Sequence, residues 1–109
     1  MRPGHVRGRH IARYVDTVKD LKRGGNLGEL ESLLLEIVDA AEAEARSSRW
    51  GVAPWCYEEL AKLYRKLKDP EREVQILERF AAQRHAPGAS PPRLLARLEK
   101  ARVLVTRKG

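Results

Sequence analysis

The clearest pattern of apolar and polar residues runs from Pro54 to Ala82. In its first half, apolar residues recur every three or four positions, as on one face of an α-helix. In its second half the same spacing returns at Val74 and Leu77. Between them, Asp69-Pro70 predicts the cap and first position of a new helix, because proline fits there and the residue before it leaves helical angles. The stretch predicts two antiparallel helices joined by a short turn.

The residues of this hairpin also follow a known order. They are Tyr57, Leu60, Ala61 and Tyr64, then Asp69 in the turn, then Val74 and Leu77. This order resembles the tetratricopeptide repeat (TPR), which has an aromatic residue, a leucine, a small residue and a tyrosine on its first helix. Glu73 and Phe80 stand where the pattern has small residues. The resemblance implies a right-handed stack of helical hairpins whose concave face holds extended peptides.

A second hairpin of the same plan is predicted in residues 10 to 45. Its apolar residues are Ile11, Tyr14, Val18 and Leu21 in the first helix, and Leu27, Leu30, Leu34, Ile37, Val38 and Ala41 in the second. Gly24-Gly25 predicts the end of the first helix in a left-handed conformation. Asn26 with Glu29 predicts a capping box at the start of the second.

The whole chain is predicted to form one all-α domain of five helices, at about 10–23, 26–46, 54–67, 70–83 and 91–105. The fifth helix opens at Ser90-Pro91 and closes the open end of the two hairpins, as repeat arrays require. Residues 1–9, MRPGHVRGR, have no apolar period and predict a flexible basic tail. An alternative is an arginine-glycine arm that follows phosphates. Residues 106–109 are predicted to form a second tail.

The composition favours an anionic partner and a reducing compartment. The chain of 109 residues has 22 basic and 15 acidic residues, a formal charge of +7. Its single cysteine, Cys56, excludes an intrachain disulfide framework and is typical of a cytoplasmic protein. No apolar run or signal segment indicates a membrane span or export. The abundance of arginine, alanine and leucine is typical of a bacterial coding sequence.

No group of residues predicts a reaction centre. His5, His10 and His85 are far apart, and no cluster has metal-ligand spacing. Cys56 lies near the buried edge of its helix, which predicts an inert thiol. The GGNLG stretch lacks the strand and the Lys-Ser/Thr pair of a phosphate loop. The sequence therefore predicts a non-enzymatic protein without a metal or cofactor.

The acidic residues concentrate in the second predicted helix, between Asn26 and Ala45, where no basic residue occurs. Glu42 and Glu44 lie near its C-terminal end, where the helix dipole does not favour negative charge. They therefore either contact a basic neighbour or belong to an ordinary solvated face.

Cationic residues recur at matching places on the first helix of each hairpin. They are Lys19, Lys22 and Arg23 in the first hairpin, Lys62, Arg65 and Lys66 in the second, and Arg93 and Arg97 on the fifth helix. Trp55 lies on the same side of its helix as Lys62 and Lys66. We interpret these nine residues as a concave basic face that binds an acidic protein or peptide, so that the chain acts as an interaction module or scaffold.

Three alternatives remain at this stage. The same face, with an arm of Arg2, Arg7 and Arg9, predicts nucleic-acid binding that weakens steeply with salt. The lysines also fit an ordinary solvated surface. Finally, an apolar residue such as Leu33 or Leu35 would allow a homodimer.

Overall fold

The computed structural model describes residues 3–48, 51–85 and 90–108. Within these residues the protein has five α-helices, preceded by a two-stranded antiparallel hairpin and a 3-10 helix. The strands are β1 (His5–Val6) and β2 (Arg9–His10), the 3-10 helix is Ile11–Tyr14, and the helices are α1 (Val15–Gly24), α2 (Leu27–Ser47), α3 (Trp55–Lys66), α4 (Pro70–Ala81) and α5 (Ser90–Lys108). The predicted all-α class is confirmed.

Two helix boundaries follow the predicted turn chemistry, and one does not. Gly25 ends α1 in a left-handed conformation with φ of 74°. Asp69 caps α4 by accepting a hydrogen bond from the backbone N–H of Arg72 at 3.2 Å. The capping box at Asn26 is wrong, since its side chain makes no cap hydrogen bond. The Asn26 N–H instead bonds to the Leu21 carbonyl at 3.0 Å, which holds Asn26 outside the extended conformation of an N-cap.

The helices pack in chain order around one apolar core. Successive helices are neighbours: α1 packs on α2, α2 on α3, α3 on α4 and α4 on α5. The Tyr57 and Phe80 rings lie 5.2 Å apart at the centre of the core, and neither residue is exposed. This order is compatible with a helical-repeat domain. Leu33 is only 3% exposed, so it belongs to the core and cannot be the dimer contact that the sequence suggested.

The N-terminal segment differs from the expected flexible tail. In its described part, residues 3–9, the chain forms β1, a turn and the start of β2, and Val6 is buried. The Gly4 N–H donates to the Ala40 carbonyl of α2 at 3.1 Å. The Tyr14 hydroxyl donates to the Val6 carbonyl at 2.6 Å. The hairpin is therefore attached to the helical body by backbone and side-chain hydrogen bonds.

The turn of this hairpin explains why it forms. Arg7 and Gly8 have φ values of 51° and 85°. Two consecutive positive φ values are the geometry of a two-residue turn whose twist matches that of antiparallel strands. Glycine adopts it without strain, and it pairs His5 with His10 across the hairpin.

We expect Gly4→Ala to destabilise the protein by about 1–3 kcal/mol. Gly4 has φ of 79°, and a Cβ there would overlap the Glu44 carboxylate. Chemical denaturation monitored by circular dichroism would measure the loss.

Gly8→Ala is the matched control, because Gly8 also has a positive φ of 85° but no neighbour within 4 Å of an added Cβ. Its free energy of unfolding should fall by only about 1 kcal/mol, the cost of a left-handed backbone conformation in a residue that has a Cβ. Equal losses for the two variants would mean that the Glu44 side chain moves away from the added methyl group at no cost in stability.

Candidate functional site

Two of the predicted binding arginines form ion pairs with a carboxylate in the protein interior. Glu73 on α4 is fully buried. Arg65 donates to it from Nε at 2.7 Å and from Nη2 at 2.9 Å, and Arg97 donates from Nε at 3.0 Å. This cluster links α3, α4 and α5. Arg65 and Arg97 are thus committed to a carboxylate inside the protein.

The other predicted residues of α3 lie along one stripe of that helix. Trp55, Glu59, Lys62 and Lys66 follow one another at intervals of four, three and four residues, so they share a helix face. Lys22 of α1 donates to Glu59 at 3.0 Å. This ion pair places the last turn of α1 beside the middle of α3.

We call this surface the α1–α3 face. Its members are Lys19, Lys22, Arg23, Trp55, Glu59, Lys62 and Lys66. Arg23 lies 3.8 Å from Asp20 in an exposed pair, which contributes little. Lys19, Lys62 and Lys66 are exposed and form no ion pair with any described residue. Trp55 is half-buried and packs against the core, so one part of the indole remains accessible.

The last predicted cation, Arg93, is separated from these lysines by its own partner. Its Nε and Nη2 donate to the two oxygens of Glu58 at 2.8 and 3.0 Å. This bidentate pair joins α5 to α3. Of the nine predicted residues, Arg65, Arg93 and Arg97 link helices through carboxylates, and the other six belong to the α1–α3 face.

A repeated contact between α2, α3 and α4 was not predicted. Tyr57 of α3 donates to Glu42 of α2 at 2.8 Å, and Arg79 of α4 donates to the same carboxylate at 2.8 and 2.9 Å. Tyr64, seven residues later on α3, donates to Glu31 at 2.7 Å. These are two equivalent links, and Arg72 completes the second at 3.2 Å.

A weak signal for these links exists in the sequence. Tyr57 and Tyr64 are seven residues apart, as are Arg72 and Arg79, so each pair lies on one helix face. A basic neighbour was also one of the two possibilities given above for Glu42 and Glu44. In the structure Glu42 contacts Arg79, and Glu44 accepts a hydrogen bond from His10 at 2.6 Å.

Three titratable side chains that link the helices have raised pKa values. Burial, together with the hydrogen bond to Glu42, raises the pKa of Tyr57. Burial and the bond to Glu31 raise the pKa of Tyr64 in the same way. The bond to Glu42 raises the pKa of Arg79. These phenols remain protonated hydrogen-bond donors, so they cannot serve as bases.

Cys56 is fully buried, as its helical position predicts. Burial raises the pKa of its thiol to about 12. The described residues contain no group of three or more His, Cys, Asp or Glu side chains that could hold a metal ion. Among the helices in the described part of the chain, none is long and apolar enough to span a membrane.

Comparison with known proteins gives no family for this chain. No family model, no curated protein and no solved structure matches it. The resemblance to tetratricopeptide repeats therefore depends on the residues quoted above and on the sequential packing of the helices.

We expect Glu73→Gln to lower the free energy of unfolding by about 2–3 kcal/mol, because the amide cannot accept charge-assisted hydrogen bonds from both Arg65 and Arg97. Glu78→Gln on the same helix is the control, since the Glu78 pair with Arg102 is exposed at 3.3 Å. It should change stability little. Equal effects in urea denaturation would contradict a special role of the buried carboxylate.

We expect alkylation of Cys56 by iodoacetamide at neutral to mildly alkaline pH to be at least roughly 100-fold slower in the native protein than in denaturant. The raised pKa suppresses the reactive thiolate, and burial blocks the reagent. Mass spectrometry of timed samples measures both rates. Fast labelling of the native protein would show that α3 opens or that the thiol is accessible.

Proposed function

We propose that the protein is a non-enzymatic interaction module of the TPR-like helical-repeat type, which holds an acidic segment of a partner protein on the α1–α3 face. The observation that carries this proposal is the set of three exposed lysines, Lys19, Lys62 and Lys66, without an acidic partner among the described residues. By helical spacing, Lys19 lies on the same face of α1 as Lys22, and Lys62 and Lys66 lie on the same face of α3 as Glu59; the Lys22–Glu59 pair joins the two helices.

The ion pairs of the protein support the assignment of Lys19, Lys62 and Lys66 as the residues that bind the partner. Arginines that link helices, such as Arg65, Arg79 and Arg93, are each bound to carboxylates. In contrast to these helix-linking arginines, Lys19, Lys62 and Lys66 form no ion pair with any described residue. An ammonium group on a flexible stem accepts carboxylates in many positions, which suits a partner that presents several acidic residues.

The dimensions of the stripe fit a short peptide. Eleven residues separate Trp55 from Lys66, which corresponds to roughly 16 Å along a helix. An extended peptide of about five residues spans this distance. Trp55 supplies an apolar contact at one end, and aromatic residues are frequent among the strongest contributors to interfaces. The two lysines supply charge at the other end.

We also propose that the fold is TPR-like and that the protein is located in a bacterial cytoplasm. The chain-order packing of α1 to α5 and the Tyr57–Ala61–Tyr64 face of α3 support a helical-repeat module. A lone buried cysteine suits a reducing compartment, which we infer to be a bacterial cytoplasm.

The test is the double charge reversal Lys62→Glu with Lys66→Glu, measured by fluorescence anisotropy with a labelled glutamate-rich peptide. We expect the affinity to fall at least about tenfold, because electrostatic attraction becomes repulsion at the lysine end of the site. The melting temperature should stay close to that of the unchanged protein, since both side chains are exposed and make no ion pair with a described residue.

The control is Lys68→Glu with Arg107→Glu, which changes the net charge by the same amount at exposed positions outside the α1–α3 face. An equal loss in the control would show that only the total charge matters and would refute the site. A labelled oligonucleotide serves as the competing probe at about 50 and 200 mM salt. Tighter binding of the oligonucleotide than of the peptide at this face would replace the acidic partner with nucleic acid.

A further inference from the structure

A second basic site lies at the N-terminal hairpin, outside the α1–α3 face. An open cleft of about 820 Å³ is lined by His5, Gly8, Arg9, His10 and Arg13. Its residues come from β1, the Arg7-Gly8 turn, β2 and the 3-10 helix. The hairpin therefore brings together cationic and imidazole groups that are up to eight residues apart in the chain.

Two carboxylates of α2 are bound by residues of the hairpin. Arg7 donates to Glu36 at 2.6 Å, and His10 donates to Glu44 at 2.6 Å. Arg9 and Arg13 are exposed and form no ion pair with any described residue. The two guanidinium groups that line the cleft are thus left with their charge uncompensated by this part of the protein.

The two histidines have defined hydrogen-bonding roles. Nδ1 of His10 accepts from the Ala12 N–H at 3.2 Å, so the ring hydrogen is on Nε2, which donates to Glu44. His5 donates from Nδ1 to the Pro3 carbonyl at 3.1 Å, since a carbonyl oxygen can only accept. Nε2 of His5 is left for a ligand. The rings meet edge to face at 5.4 Å, which fixes this wall of the cleft.

The chemistry of the cleft selects phosphate. A guanidinium group is a planar fork of N–H donors that matches two oxygens of a phosphate, and arginine is the preferred residue for such bidentate contacts. Two such groups suit a tetrahedral anion with three or more oxygens. The volume of the cleft is within the range of small-molecule sites. The cleft is far larger than a phosphate ion alone needs.

We propose that this cleft binds the phosphate group of a nucleotide through Arg9 and Arg13. The same chemistry is offered by a free mononucleotide and by a nucleotide unit of a single strand. Arg7, which the sequence placed in a phosphate-binding arm, is not part of the site because Glu36 holds it. Arg2, the other member of that arm, lies outside the described residues.

The test is a titration followed by backbone amide shifts in two-dimensional NMR, with adenosine monophosphate, adenosine and a short oligothymidylate as probes. We expect saturable shifts at Gly8, Arg9, His10 and Arg13 with the monophosphate and not with adenosine. Arg9→Gln with Arg13→Gln should weaken the binding at least about tenfold, because both charge-assisted contacts are removed.

The control is Lys68→Gln with Arg107→Gln, which removes two positive charges elsewhere on the surface and should leave the affinity within about twofold, because distant surface charges are screened. Shifts at the cleft with the oligothymidylate alone would identify a strand as the source of the phosphate. An equal loss in both double variants, equal shifts with adenosine, or no shifts at the cleft with either phosphate probe would overturn the proposal. None of these results depends on Lys62 or Lys66, so the acidic-peptide test fails or succeeds separately.

Discussion

The packing of the last three helices depends on one buried carboxylate. Glu73 has no exposed surface, and a buried charge is tolerated only where oppositely charged hydrogen-bond donors surround it. Arg65 and Arg97 supply these donors from α3 and α5. The position is one where the tetratricopeptide pattern has a small residue. At this position the chain has an ion-pair cluster that links α3, α4 and α5, and it engages two arginines that would otherwise be available to a partner.

The same constraint operates on the other side of α3. Glu42 and Glu31 of α2 each collect a tyrosine from α3 and an arginine from α4. A buried or half-buried carboxylate with several donors is costly to leave unpaired, so these contacts determine which arginines face inward. The positive charge left on the surface comes mainly from basic residues that do not pair with these carboxylates. Lys19, Lys62 and Lys66 belong to this remainder.

The helices and the Asp69-Pro70 turn could be predicted because their signals are local: apolar spacing and turn chemistry act within a few residues. The hairpin at residues 5–10 was missed because two strands of two residues show no helical period, and its stability comes from contacts with Ala40 and Tyr14. The sequence does not show which basic residues pair with internal carboxylates and which stay unpaired. Arg65 and Lys66, for example, are adjacent in the sequence, yet only Arg65 pairs with Glu73. Their difference is decided by Glu73, whose burial depends on the packing of three helices.

The two surfaces left by this packing differ in the kind of cation that they present. The α1–α3 face carries ammonium groups on flexible stems around a half-buried indole, which suits carboxylates in an extended peptide. The hairpin cleft carries two guanidinium groups on a short, hydrogen-bonded scaffold, which suits the fixed geometry of a phosphate. The helix-linking arginines Arg65, Arg79 and Arg93 are paired with carboxylates, whereas Arg9 of β2 and Arg13 of the 3-10 helix form no ion pair with any described residue. The hairpin and the 3-10 helix that follows it therefore hold the two exposed arginines of the cleft on a different surface from the exposed lysines.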